Sequence, residues 1–181
     1  MVTSVEDADI NRSFPAAFGV GYCLKSDIDS IYNCIAWAAG VTNIWWWPDP
    51  YPFPGRFWPN GVPRQQTLQA FMQAYATVGY TDCRMDGSLE RGYERIAIFA
   101  TPDERPQHAA RQLLDGVWTS KLGGYRDIHH TSPAGLETSP RGTTSYGRVV
   151  RYMKRERRAD RQCLRMPGTT DSPLRCILPL P

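Results

Sequence analysis

The feature that most constrains the fold is a series of short strand-like segments in the second half of the chain. Proline, glycine, aspartate and serine separate five such runs, at residues 93–100, 108–114, 117–122, 126–131 and 146–154. Asp115-Gly116, between the second and third runs, is typical of a two-residue hairpin turn, because both residue types tolerate a positive φ. We therefore predict an antiparallel sheet made of strands that follow one another in the chain.

The first half has the periodicity of helices. In residues 64–78 apolar side chains recur at spacings of three and four, and a glycine follows the run. A second helix is predicted in residues 25–40, in its second half at least, with Gly40 at its end. Helices followed by a run of strands are typical of an α+β domain.

The length of 181 residues is sufficient for one domain with its own core. We predict that domain in residues 1–158 and a flexible, disordered tail in residues 159–181, which show no hydrophobic period. Residues 148–165 carry eight Lys/Arg against two acidic residues, a local charge of +6. Neither a nucleic-acid recognition motif nor interleaved aromatic residues accompany this charge, so we do not expect a nucleic-acid partner.

The five cysteines are odd in number, irregularly spaced and without a CxxC pair, which fits neither a disulfide scaffold nor a structural zinc site. The N-terminus is acidic and has no apolar core typical of a secretory signal. The longest apolar runs are too short to span a bilayer. We expect a reduced, soluble, cytoplasmic protein without a metal or cofactor, and export by a dedicated secretion machine stays open.

Residues 44–63 contain six prolines and four of the six tryptophans. The prolines exclude a regular helix and an interior strand. The segment either packs over the adjacent core or forms the wall of a groove for a peptide or carbohydrate ligand. The candidate groove residues are Trp45, Trp46, Trp47 and Trp58.

Cys34, in the segment YNCIAWAAG, is either an inert core residue or a nucleophile at the start of a helix. A thiol there is acidified by the unpaired N–H groups of the first turn, so we expect its pKa to be lowered. His108 is the candidate general base, because it opens one of the predicted strands. The side-chain amide of Asn33 and the backbone N–H of Cys34 are candidate donors to an oxyanion.

The pattern Asn-Cys-x-x-Trp-Ala, followed by a strand that opens with His-Ala-Ala, resembles the papain-like superfamily of small bacterial cysteine hydrolases. The similar groups are the cysteine, histidine-dependent amidohydrolase/peptidases (CHAP) and the NlpC-type peptidases. The resemblance implies a papain-like fold, with an active-site helix on an antiparallel sheet, and cleavage of an amide or peptide through a thioester on Cys34. YNCIAWA, HAARQ, WTSKLG and YG also resemble an uncharacterised bacterial family of unknown function over about residues 20–155.

The third catalytic group is left open by the sequence. The resemblance implies a residue at about Ser120, on the strand paired with that of His108, whereas Asp127 offers a carboxylate on the next strand. His130 is a further alternative; it and His129 are consecutive, so they point to opposite faces of a strand and cannot bind one metal together. The alternative to an enzyme is a non-catalytic papain-like binding module that uses the tryptophan-rich groove and the basic segment.

Overall fold

The computed structural model describes residues 5–83, 85–139, 141, 146–157 and 176–177, which form a mixed fold of helices and antiparallel sheet. The helices are α1 (Val5–Ser13), α2 (Pro15–Val20), α3 (Cys34–Ala39), α4 (Leu68–Ala76) and a 3-10 helix (Pro133–Leu136). The strands are β1 (Tyr22–Leu24), β2 (Trp45–Trp46), β3 (Arg56–Phe57), β4 (Thr81–Asp82), β5 (Tyr93–Ala100), β6 (Pro106–Gln112), β7 (Trp118–Lys121), β8 (Asp127–His130), β9 (Arg148–Glu156) and β10 (Cys176–Ile177).

Eight of the described strands form one sheet in the order β10-β1-β8-β7-β6-β5-β9-β4, and neighbouring strands are antiparallel throughout. The predicted run 93–100 is β5, and the other four predicted runs differ from β6, β7, β8 and β9 by one or two residues at each end. Gly116 has a φ of 87° at the predicted turn. The prediction of an antiparallel sheet is confirmed, and β2 and β3 pair separately and in parallel.

The two faces of the sheet are covered by different helices. α3 and α4 pack on one face, against Ile96 and Ile98 of β5 and Ala109 of β6. α1, α2 and the 3-10 helix pack on the other face, against Phe99 of β5 and Ala110 of β6. This alternation follows from the period of two in a strand, and it decides which side chains of β6 can meet which helix.

Both predicted helices form: α3 occupies the second half of residues 25–40, as expected, and α4 begins four residues later than the predicted run 64–78. The side chain of Asn33 caps α3 by accepting from the N–H of Ala36, and Gly40 ends it with a φ of 83°. The side chain of Thr67 caps α4. A cap of this kind fixes the first residue of a helix, so residues before it remain irregular even where their spacing is helical.

The basic segment, as far as it is described, is mainly β9 and is used inside the molecule. Lys154 forms an ion pair with Glu90, and Arg155 and Arg157 form ion pairs with Glu94. The guanidinium of Arg155 also donates to the carbonyl oxygen of Ala39, the last residue of α3, and to that of Val78, two residues after α4. These charges are therefore not a free positive surface.

Cys23 of β1 is disulfide-bonded, whereas Cys34 and Cys83 are free, so the expectation of a fully reduced chain does not hold for Cys23. No helix among the described residues has the length and apolar character needed to cross a bilayer. Most of the predicted tail lies outside the described residues. Its two described residues form β10, which pairs with β1 at the edge of the sheet.

Candidate active site

Cys34 is the first residue of α3, and its thiol reaches the backbone of β6. The sulfur donates to the carbonyl oxygen of Gln107 over 3.9 Å, and the N–H of Ala109 donates to the sulfur. β6 pairs with β7 only at Arg111 and Gln112, so the backbone around His108 is left unpaired on that side. The thiol occupies this opening, in contact with the backbone on either side of His108.

Burial dominates the ionisation of this thiol. The Cys34 side chain is 4% exposed, and burial raises its pKa to about 11 in spite of the N–H groups of Ala109, Ile35 and Cys34, which lower it. The expectation of a lowered pKa is therefore wrong for this structure. A six-residue helix offers too small a field to offset the loss of water around a thiolate.

His108 is fully buried on the other side of the same strand. Its ring is stacked on Tyr146, with centroids 4.2 Å apart, and meets the edge of Phe99. The imidazole thus points toward the face that carries α1 and α2, and no hydrogen bond joins it to Cys34. Its Nδ1 has no hydrogen-bond partner among the described residues.

The other nitrogen of His108 begins a buried chain of hydrogen bonds. His108 Nε2 lies 3.1 Å from the hydroxyl oxygen of Ser120, which lies 2.9 Å from His130 Nε2. His130 Nδ1 lies 2.8 Å from the carbonyl oxygen of Ser132. All three side chains lie on one face of the sheet, since direct hydrogen bonds join them across the neighbouring strands β6, β7 and β8. We call this set the histidine relay.

The last bond fixes every proton in the histidine relay. A carbonyl oxygen can only accept, so His130 Nδ1 carries the proton and its Nε2 is the acceptor. The hydroxyl of Ser120 therefore donates to His130 and accepts from His108 Nε2–H. This requires both rings to be neutral, and burial lowers the pKa of His130 to about 4 and that of His108 well below its usual value. The lone pair of His108 is consequently on Nδ1, the ring nitrogen nearer the backbone that Cys34 touches.

Asp127 is not the group that orients His108. Its side chain accepts a 2.8 Å hydrogen bond from Tyr32 and lies 3.9 Å from the ammonium of Lys121. In a strand the side chains alternate, and Asp127 projects to the face opposite that of His130. Ser120, the alternative implied by the resemblance, occupies the orienting position instead.

The side-chain amide of Asn33 is engaged in three hydrogen bonds of the fold. Its amide nitrogen donates to the carbonyl of Trp46 over 2.8 Å, and its oxygen accepts from the N–H groups of Trp46 and Ala36. The residue ties the start of α3 to the tryptophan-rich segment. The backbone N–H groups of Cys34 and Ile35, which face the sulfur, are the donors that remain.

The candidate groove residues divide into two kinds. Trp46 and Trp58 are 3% and 2% exposed and belong to the core, where Trp58 meets the edge of Phe71. Trp45 and Trp47 are half-buried. Packing over the core, one of the two possibilities left open by the sequence, describes Trp46 and Trp58.

Tyr146, which stacks on His108, was missed as a site residue by the sequence reasoning. The signal was present in the YG motif, because Gly147 has a φ of 81° and lies against the backbone of Ala100. A glycine in such close approach fixes the path of the chain, and with it the position of the preceding aromatic ring.

A family model matches residues 23–154, a span that contains α3, the complete histidine relay and most of the sheet. The family is described only as a domain of unknown function. No curated protein and no solved structure matches the chain. The function must therefore be argued from the geometry of the site.

Proposed function

The chain belongs to the DUF7689 family, and we propose that it is a papain-like cysteine hydrolase that cleaves an amide or peptide bond. Cys34 is the nucleophile, His108 is the general base and acid, and Ser120 and His130 position His108. The proposal rests mainly on one observation, the buried His108 Nδ1 that lacks a partner while Nε2 is held by the histidine relay.

The unpartnered Nδ1 of His108 lowers the stability of the fold, which suggests that this nitrogen has a function. A buried polar atom without a hydrogen bond destabilises a protein by about 1–3 kcal/mol. Here the ring of His108 has no exposed surface, and the hydrogen bond between Nε2 and Ser120 fixes its orientation. A ring fixed in this tautomer is suited to accept a proton from a thiol beside the backbone of β6.

In the first step, the sulfur of Cys34 attacks the carbonyl carbon of the substrate while its proton moves to His108 Nδ1. The carbonyl oxygen becomes an oxyanion, to which the N–H groups of Cys34 and Ile35 can donate. The C–N bond then breaks as His108 returns the proton to the leaving nitrogen, and a thioester remains on Cys34. Water hydrolyses the thioester, with His108 again taking and returning the proton.

The resting pair is neutral, because burial raises the pKa of Cys34 to about 11 and lowers that of His108. The reactive form requires a protonated thiol and a neutral imidazole. The protonated thiol and the neutral imidazole coexist from below pH 6.5 up to about pH 10, so we expect the acylation rate to be constant across neutral pH.

The experiment uses p-nitrophenyl acetate as an acyl donor and follows nitrophenolate release together with the mass of the protein. We expect a burst equal to the protein concentration and an acetyl group on Cys34. In Cys34→Ser and His108→Gln the burst should slow by about 100-fold or more, since general base catalysis contributes roughly 10²–10⁴-fold. Cys83→Ser, which removes the other thiol that is free among the described residues, is the matched control and should react like the native chain.

Two further variants test the positioning role. Ser120→Ala should slow acylation and change the tautomer of His108, which long-range ¹H–¹⁵N NMR reports, whereas Asp127→Asn should leave that tautomer unchanged. Acetylation of Cys83 alone, or an unchanged burst in Cys34→Ser, would contradict the proposal.

The second candidate is a non-catalytic module that binds a peptide. It is favoured by the exposure of Tyr51 and Phe53, which are 82% and 62% exposed in the proline-rich segment. The guanidinium of Arg56 lies 5.7 Å from the rings of both Phe53 and Trp45, an arrangement that offers flat apolar and cationic contacts. If the native chain forms no thioester although His108 and His130 have the tautomers derived above, the result favours this module.

A further inference from the structure

Arg111 of β6 carries a cation that forms no direct ion pair with a described carboxylate. Its side chain is half-buried, yet it forms no hydrogen bond or ion pair with any described residue, and its Nε is buried. The guanidinium lies over the ring of Trp37, 4.5 Å from its centroid. The charge of Arg111 lowers the pKa of Glu94 more than any other group does, and the same carboxylate also forms ion pairs with Arg155 and Arg157. Positive charge is therefore in excess around Arg111.

Two other donors without partners accompany this cation. The indole Nε1 of Trp37 is buried and unbonded, and so is the hydroxyl of Thr119, a residue with no exposed surface. Thr119 is the cross-strand neighbour of Arg111, so both side chains project toward α3, the helix that carries Trp37. Three unsatisfied donor groups thus lie together on one face of the sheet.

Arg111 and Thr119 belong to a row of cross-strand neighbours that continues to His129, which pairs with Thr119. Burial and then the positive charge of Lys25 lower the pKa of His129 to about 4; the carboxylate of Asp115 opposes this, and Arg111 adds to it. His129 is therefore neutral at physiological pH, and the positive charge of this group of residues is that of Arg111. Native structures leave few buried donors unpaired, so three in one place indicate a ligand that accepts hydrogen bonds.

We propose that Arg111, Thr119 and Trp37 form a binding site for a carboxylate group. A carboxylate matches the fork of a guanidinium and can accept from the other two donors at the same time. The site does not depend on the acyl transfer proposed above, because none of its three residues takes part in that chemistry. Its position is nevertheless close to Cys34, since Trp37 lies one helical turn further along α3.

The test is a titration of the full chain with N-acetylglycine, followed through the indole N–H signal of Trp37 by ¹H–¹⁵N NMR. N-acetylglycinamide, which has the same shape without the charge, is the matched ligand control. We expect saturable binding of the carboxylate and at least tenfold weaker binding of the amide. Inorganic phosphate is the second probe, and binding of phosphate alone would overturn the assignment to a carboxylate.

Variants assign the effect to the site. Arg111→Gln should weaken binding about tenfold or more, and Thr119→Val should weaken it about three- to tenfold, as expected for hydrogen bonds to a charged group. Arg111→Lys keeps the charge without the planar fork and should bind at an intermediate level, which keeps the test informative if Arg111→Gln does not fold. Arg12→Gln, an exposed arginine of α1, is the control. Equal binding by native chain and Arg111→Gln would overturn the proposal.

Discussion

Burial holds all three histidines neutral, and this ties the proposed base to the stability of the protein in acid. The pKa values of His129 and His130 lie at about 4, and that of His108 is well below the usual value. In the unfolded chain each ring titrates near 6.5. Because the folded values are the lower ones, the stability that neutral burial gives is present above pH 6.5 and is lost as the pH falls.

We expect the free energy of unfolding to decrease between pH 6.5 and about pH 4. The buried rings of His108 and His130 should each contribute a slope of at most about 1.4 kcal/mol per pH unit, since one proton per ring binds to the unfolded chain first. Urea unfolding at pH 7.0, 5.5 and 4.5 measures this slope. His129→Gln removes a half-buried ring outside the relay and should keep most of the acid sensitivity. A free energy that is constant over this range would show that the rings are charged in the folded state.

At the scale of single elements, the sequence was most informative where local rules decide the outcome. The strands β5 to β9 follow from alternation and turn residues, and the end of α3 follows from Gly40. The beginnings of the helices were less clear, because the cap residues Asn33 and Thr67 determine them through single hydrogen bonds. Local pattern does not distinguish a cap from an ordinary polar residue upstream of a helix.

The site was predicted in part for a related reason. Cys34 and His108 were proposed from their positions at the start of a predicted element, and Ser120 was implied by the resemblance to papain-like enzymes. The choice between Ser120 and Asp127 depends on which face each side chain occupies, and that depends on the register of three strands. A shift of one residue exchanges the two faces, so small uncertainties in strand ends reverse such an assignment.

Gly147, just before β9, allows a test at this scale, because it positions Tyr146 over His108. A Cβ at Gly147 would lie 1.7 Å from the carbonyl oxygen of Ala100, and the φ of 81° is itself unfavourable for alanine. Gly147→Ala should therefore destabilise the fold by about 3 kcal/mol or more, through both strain and overlap. It should also shift the NMR signals of His108 as the Tyr146 ring moves. Thermal melting and those signals are the measurements.

Gly92→Ala is the control for backbone strain alone. Gly92 has a similar φ of 85°, but no atom lies within 4 Å of its added Cβ. We expect a cost of about 1–2 kcal/mol there and no change at His108. Equal costs for the two variants would mean that the approach to Ala100 does not determine the position of Tyr146.

For the whole molecule, the sheet is completed by segments that are far apart in the chain. β1 pairs with β8 on one side and with β10 on the other, so the described end of the chain lies beside a strand near its beginning. The helices α1 and α2 cover the face that carries the histidine relay. Neither the N-terminal helices nor these long-range pairings were predicted, because short segments of weak pattern form only when the rest of the sheet is present.

The role of the C-terminal segment is the last prediction. The sequence predicted a flexible, disordered tail, whereas β10 extends the sheet and Cys23 is disulfide-bonded. Cys34 and Cys83 are free, so the disulfide of Cys23 uses neither of them, and we expect it to tie β1 to the C-terminal segment. A disulfide across so long a loop contributes about 2–4 kcal/mol, which corresponds to roughly 5–15 °C in melting temperature for a chain of this size.

We therefore expect dithiothreitol to lower the melting temperature of the full chain by that amount. A chain that ends at residue 158 should melt near the reduced full chain and should not respond to dithiothreitol. Cys83→Ser keeps the disulfide and should respond like the native chain. If the full and shortened chains melt together without reductant, the tail is dispensable and β1 is a stable edge strand without β10. If the two chains melt at different temperatures, the C-terminal segment stabilises β1 at the edge of the sheet. Reduction would then loosen β1, which pairs with β8, the strand that carries His130 of the histidine relay.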